Sequence, residues 1–179
     1  MNYIRLLKQL GVVTSSRGRR LMVILLLLLL TVGCDQTSKH FARVQLSQSG
    51  SVTTPGGFLE FSLAENPGAF LSLGASLPGS LRIFLLTLGV GLGLSILFVQ
   101  LTLSSRFASL TFFGLALIGA GGMSNLLDRI VRHGLVTDFA IVRIGPFHTG
   151  IFNWADLVVM VGITVVLASL CLRSEKSGV

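Results

Sequence analysis

Four long apolar runs, separated by polar segments of unequal length, organise this chain. The first, Leu21 to Cys34, holds six consecutive leucines and predicts a helix continuing to about residue 37. The others cover about residues 81–103, 107–127 and 153–172. Each comes near the roughly 20 apolar residues that a helix needs to cross a hydrocarbon core about 30 Å thick. Between the first and second runs, residues 44–72 change character. Gln45 to Thr54 is rich in Ser, Gln and Thr, Pro55-Gly56-Gly57 marks a turn, and Phe58-Leu59-Glu60-Phe61-Ser62-Leu63 alternates in the manner of a strand. The pattern predicts an all-α membrane protein: a four-transmembrane-helix bundle with a small β-sheet cradle between spans 1 and 2, at the outer membrane–water boundary. Residues 1–20 then form a basic cytoplasmic leader, 21–173 a single integral membrane domain, and 174–179 a cytoplasmic tail.

Glycine adds detail to two of the spans. Gly89 and Gly93 stand at GxxxG spacing and predict close helix packing within the second span. Gly119-Ala120-Gly121-Gly122, at the end of the third, would let another backbone approach.

Composition agrees with a membrane protein, at 51% hydrophobic, 12% charged and a mean hydropathy of +0.83. A net charge of +7 would suggest a nucleic-acid partner if the basic residues covered a folded face. Instead Arg5, Lys8, Arg17, Arg19 and Arg20 precede the first run, and Arg106, Arg173 and Lys176 flank later ones. That is the positive-inside pattern, so nucleic acid is discounted and both termini are placed in the cytoplasm. Asp35, Asn66, Asp128, Asp138 and Asp156 then share the outer interface.

Cys34 and Cys171 lie far apart, and His40, His133 and His148 form no ligand pair at helical separation. No structural disulfide and no metal are expected. The basic start followed by Thr31-Val32-Gly33-Cys34 has the look of a lipoprotein signal ending at a lipidated cysteine. Against this, leucine usually stands where Thr31 does, and three further apolar runs follow. Gly74-Ala75-Ser76-Leu77-Pro78 misses a GxSxG elbow because Pro78 replaces the second glycine.

The acids carry the remaining signal. Residues 125–156 hold three of the chain's seven, and carboxylates at the mouths of spans are costly enough to suggest chemistry. Asp138 and Asp156, eighteen residues apart, have no basic neighbour in sequence, unlike the other carboxylates near the spans. Two carboxylates sharing a partly dry site cannot both ionise easily, and such a pair can act as base and acid on one water. The structural readings stand beside this one. Asn153 reads as an N-cap with Asp156 in the first helical turn. Asp128 reads as an ion pair with the adjacent Arg129, and Asp35 as a partner of Lys39 along one helix face. A non-enzymatic alternative, a small transporter or scaffold with an outer acidic binding site, would need polar residues deeper in the spans, where only scattered Ser and Thr occur.

Five blocks in order, Asp35-Gln36-Thr37-Ser38-Lys39, Asn66-Pro67-Gly68-Ala69, Asn125-Leu126-Leu127-Asp128-Arg129, Val136-Thr137-Asp138-Phe139 and Phe152-Asn153-Trp154-Ala155-Asp156, resemble the lipoprotein signal peptidases (signal peptidase II), aspartic peptidases of bacterial membranes. The resemblance covers about residues 20–175. It implies Asp138 and Asp156 as the catalytic dyad, and Asn66, Gly68 and Arg129 as substrate-binding. Asn125, Asp128, Asn153 and Ala155 would brace the site, while Asp35 and Lys39 would tie the first span to the outer sheet. The implied substrate is a prolipoprotein with a diacylglyceryl-modified cysteine, cut just before that cysteine. The implied setting is the bacterial inner membrane among its lipids, with the enzyme a monomer that uses no cofactor and has its active site at the outer face. The chain departs from the family pattern at Phe70-Leu71-Ser72, where Ala-Phe-Ser is usual, and at Ser124, where glycine commonly stands.

Overall fold

The computed structural model describes residues 16–69 and 73–177. Arg5 and Lys8 of the expected leader, the Phe70-Leu71-Ser72 departure, residues 178–179 and the side chains from Ser174 onward lie outside what is described.

Helix α1 spans Arg17–Ser49, its start capped by Ser16 Oγ accepting from the Arg19 N–H at 3.3 Å. It stops at Gly50, whose φ of 73° favours glycine and whose N–H bonds to the Leu46 carbonyl. At 33 residues it is about 50 Å long, well beyond the hydrocarbon core. The polar segment from residue 45 therefore begins as its last turn, and the expected β region starts only at Val52. The reason is local: no Gly or Pro interrupts the chain between Gly33 and Gly50, and Ala42 and Leu46, four apart, are both buried.

Strands β1 (Val52–Thr53) and β2 (Leu59–Asn66) turn through Gly56 and Gly57, both at positive φ. Strand β3 (Val136–Ile144) pairs antiparallel with β2, setting Asn66 opposite Val136, Ala64 opposite Asp138 and Phe61 opposite Ala140. A short β4 (Phe147–His148) completes a sheet in the order β1-β2-β3-β4. The cradle is thus not built between the first two helices alone. Half of it comes from between the last two, where nine residues rich in β-branched side chains are bounded by Gly134 and Gly145-Pro146.

Three further helices complete the bundle: α2 (Gly79–Leu103), α3 (Ser109–Val131) and α4 (Trp154–Ser177). All four helices contain stretches long and apolar enough to cross a membrane. Their outward faces carry large exposed apolar side chains such as Leu29, Leu88, Leu92 and Leu167, as lipid contact requires. At one end, Ile24, Leu101, Phe112 and Ala116 form the apolar core. There the Arg20 guanidinium donates to the Ser104 carbonyl, and Thr111 and Ser169 share a hydrogen bond of 2.9 Å.

The close helix contacts are not where GxxxG spacing predicts. A Cβ on Gly93 would meet nothing within 4 Å, and one on Gly89 only a carbonyl of its own helix. Gly89 instead closes a π-helical segment, Phe84–Gly89. The tight pair is α3 with α4: a Cβ on Gly114 would lie 2.8 Å from the Gly162 carbonyl oxygen, and one on Gly121 2.5 Å from that of Ala155. The small residues at the end of the third span do admit another backbone. This brings the C-terminal half of α3 against the first turn of α4, beside the sheet.

Candidate active site

Three elements deliver the acids. Strand β3 presents Asp138, the first turn of α4 presents Asp156, and Asn153 just before that helix joins them. The Asn153 amide donates to Asp138 Oδ1 at 2.6 Å, while its backbone N–H donates to Asp156 Oδ2 at 3.2 Å. The Asp156 N–H returns a bond of 3.0 Å to Asn153 Oδ1, so the pair forms a reciprocal helix cap. Asn66, from the end of β2, donates to Asp138 Oδ2 at 3.0 Å, and Asn125 of α3 donates to Asp156 Oδ1 at 2.9 Å. Each of the four carboxylate oxygens therefore accepts one N–H and keeps a further lone pair for water or a shared proton.

The orientation of all three asparagines is dictated from behind. Asn66 Oδ1 accepts from the Gly68 N–H at 2.8 Å, and Asn153 Oδ1 from the Asp156 N–H. Asn125 Oδ1 accepts from Lys39 Nζ at 3.0 Å, and an ammonium can only donate. Each amide nitrogen must therefore face the acids. Asn153 Nδ2 also donates to Asn125 Oδ1 at 3.1 Å, tying β3, α3 and α4 together.

Beneath lies a buried ionic layer. Lys39 is fully buried, with Nζ 2.7 Å from Asp35 Oδ2 and 2.9 Å from Asp128 Oδ2. Asp35 also accepts from Ser124 Oγ at 2.7 Å and from the Ala155 N–H at 2.9 Å. Asp128 accepts from Gln36 at 2.9 Å and from the Thr137 N–H at 3.1 Å. Two expectations change here. The partner of Asp128 is Lys39 of α1, not the adjacent Arg129, because neighbours on a helix point about 100° apart. The Asp35–Lys39 pair forms as expected, but it ties α1 to α3 and to the start of α4, not to the sheet; Asp128 is the group that reaches the sheet, through Thr137.

Asp138 and Asp156 differ from every other acid whose side chain is described. Asp35, Asp128, Glu60 and Glu65 each pair with a Lys or Arg, whereas no described Lys or Arg makes an ion pair with either of these two. Burial pushes the Asp138 carboxyl up to about 6; the nearby Asp156 charge adds to the rise, and the Asn66 and Asn153 bonds and Lys39 oppose it. Arg129 lies close by. Its Nη2 donates to the Gly68 carbonyl at 2.7 Å, and its Nε is buried without a partner. Asn66, Gly68 and Arg129 thus close one turn over the dyad, with Asn66 Nδ2 also on the Ala69 carbonyl at 3.1 Å.

A model of the signal peptidase (SPase) II family matches residues 27–172, most of the chain, including every residue of this site. The chain belongs to the signal peptidase II family. It is similar to the lipoprotein signal peptidase of Sphingopyxis alaskensis, 35% identical over 147 residues, which cover 80% of this chain and 82% of that protein. The lipoprotein signal peptidase of Moorella thermoacetica is 31% identical over 155 residues, covering 84% and 93%. Among solved structures, a bacterial membrane enzyme determined in meso at 2.3 Å resolution superposes with a TM-score of 0.71 at 21% identity, covering 86% of this chain and 90% of that one, a likeness of fold. As a signal peptidase II member, the chain is a peptidase with four membrane-spanning helices.

The structure gathers all the residues singled out from the sequence: Asp35, Lys39, Asn66, Gly68, Asn125, Asp128, Arg129, Asp138, Asn153, Ala155 and Asp156. Sequence reasoning assigned no role to Gln36, Thr137 or Arg43. Thr137 Oγ1 accepts from Arg43 at 3.0 Å, which fixes the residue beside Asp138 from the other side of the strand. Arg43 stands four residues after Lys39, and helical spacing alone places it one turn further along the same face.

Proposed function

We propose that this protein is a membrane aspartic endopeptidase that removes signal peptides from prolipoproteins, cutting before a diacylglyceryl-modified cysteine, with Asp138 and Asp156 as its catalytic pair. One observation carries the reading: these are the two described acids without a cationic partner, and they are held together by one asparagine.

With one proton shared between them, the ionised carboxylate takes a proton from water as its oxygen attacks the scissile carbonyl carbon. The protonated partner donates to the carbonyl oxygen as it gains charge. Collapse of the tetrahedral intermediate breaks the C–N bond; the proton taken from water passes to the leaving nitrogen, and one hydroxyl of the intermediate returns a proton to the aspartate that donated one. The products are a signal peptide with a new carboxyl terminus and a lipid-modified cysteine with a free amine. Asn66, Gly68 and Arg129 sit where an extended substrate backbone would pass, and Arg129 carries a buried N–H with no acceptor of its own. Asn125, Asn153, Ala155 and the Asp35–Lys39–Asp128 layer hold the acids in place. An apolar cleft of about 460 Å³, lined in part by Phe41, Leu46, Phe61 and Phe139, opens between α1 and the sheet and suits the acyl chains of a lipid-modified residue.

In this reading the termini face the cytoplasm and the sheet lies at the outer face. The test is cleavage of a diacylglyceryl-modified prolipoprotein by purified protein in a bilayer. Asp138→Asn and Asp156→Asn should each lower the rate by about a hundredfold or more. Processing at the parental rate by either variant would end the assignment.

A further inference from the structure

The end of the bundle away from the dyad holds a buried charge with no counter-charge among the described side chains. Arg20 is only 4% exposed. Its guanidinium donates to the Ser104 carbonyl, its Nε is buried without an acceptor, and no described carboxylate pairs with it. Arginine stays protonated in proteins, so this charge persists. The six acids whose side chains are described all belong to the sheet end, so none can balance it. Buried Lys39, by contrast, touches two carboxylates. A cation withdrawn from water with no partner is costly unless an anion is supplied to it.

Beside it opens a cleft of about 480 Å³, lined by Val99, Gln100, Leu103, Ser104, Ser105 and Arg106. Its lining is graded. Arg106 and the two serines form the polar mouth, while Val99 and Leu103 continue an exposed apolar stripe along α2 through Ile96 and Leu92. A phospholipid has this same order of chemistry, a phosphate at the interface followed by acyl chains directed into the bilayer.

We propose that this cleft binds one anionic phospholipid, with its phosphate between Arg106 and the Arg20–Ser104 contact and an acyl chain along the α2 stripe. The phosphate neutralises Arg20 and fixes the connection between α2 and α3. The site is separate from the dyad, so its failure would leave the peptidase reading untouched.

The test uses the delipidated full-length protein in detergent, with unfolding followed by the emission of its one tryptophan, Trp154. Phosphatidylglycerol should raise the melting temperature saturably, and diacylglycerol of the same chain length should not. Arg106→Gln and Arg20→Gln should weaken the apparent affinity about tenfold, by loss of a charge-assisted contact. Arg106 is exposed, so its variant stays informative even if Arg20→Gln fails to fold. Equal responses in parent and Arg106→Gln, or equal responses to phosphatidylglycerol and diacylglycerol, would overturn the site. A rise with inorganic phosphate matching that with phosphatidylglycerol would overturn the lipid as its ligand.

Discussion

Replacing Asp138 by asparagine should make the protein more stable at neutral pH while removing its activity, and the gain should depend on pH. A buried carboxyl whose pKa is pushed from 3.8 to about 6 binds its proton more tightly in the folded chain than in the unfolded one. Stability therefore falls as pH rises wherever the unfolded chain has ionised and the folded one has not. Below about pH 4 the group is neutral in both states and costs nothing. Between about pH 4 and 6 the cost grows, and above that window it is constant. A shift of about two units at 1.36 kcal/mol each makes the full cost about 3 kcal/mol. Asparagine never ionises, so it escapes this cost. It does turn one amide N–H toward Asn66 or Asn153, both of which donate at this position, and that mismatch offsets about 1 kcal/mol. The Asp138→Asn protein should therefore be about 1 kcal/mol less stable than the parent near pH 4 and about 2 kcal/mol more stable at pH 7.5. Equilibrium unfolding in micelles, followed through Trp154 across that range, measures the difference directly. A variant-minus-parent difference that stays flat from pH 4.5 to 7.5 would refute the argument that burial governs this carboxyl.

Other expectations test the layers around the dyad. Lys39→Met leaves Asp35 and Asp128 buried with no cation and should cost about 3–5 kcal/mol in the same unfolding assay; adding Asp128→Asn should restore part of the loss. Ser124→Ala removes the bond to Asp35 and should cost about 1.5–3 kcal/mol, with Ser124→Gly losing about 1 kcal/mol more through helix propensity. Gly162→Ala drives a methyl to 2.7 Å from the Gly114 carbonyl oxygen and should destabilise by about 1–3 kcal/mol, while Gly93→Ala, which meets nothing, should gain up to about 1 kcal/mol through helix propensity.

The helices were legible because an apolar run of about 20 residues has few other stable destinations. The two acids without an ion pair were legible for a different reason. Having no basic neighbour in sequence stood in for having no partner in space, and for Asp138 and Asp156 the two coincide. The same shortcut failed for Asp128, whose cation arrives from α1 and not from the next residue. The half of the sheet carrying Asp138 was missed although its signal was present. Val136 to Ile144 is rich in valine and isoleucine and bounded by glycines, but it lies between two spans where the eye expects a connecting loop. Gly89 and Gly93 matched a packing motif by spacing alone, and spacing does not say whether a neighbour stands opposite. The role of Ser124 could not be read at all, because Asp35 lies 89 residues away in sequence.

The pairing of β2 with β3 joins segments made at very different times. Asn66 meets Val136 across the whole of α2 and α3, and Asp156 follows only when the final helix begins. Both halves of the proposed catalytic pair are therefore late arrivals during synthesis. Loop closure over so long a stretch is slow and must precede any docking of the amides that hold the acids. A ribosome-bound chain with two or three helices inserted is consequently inert toward neighbouring lipoprotein precursors. Competence arrives as a single event, when the last segment enters the bilayer and its first turn meets the sheet.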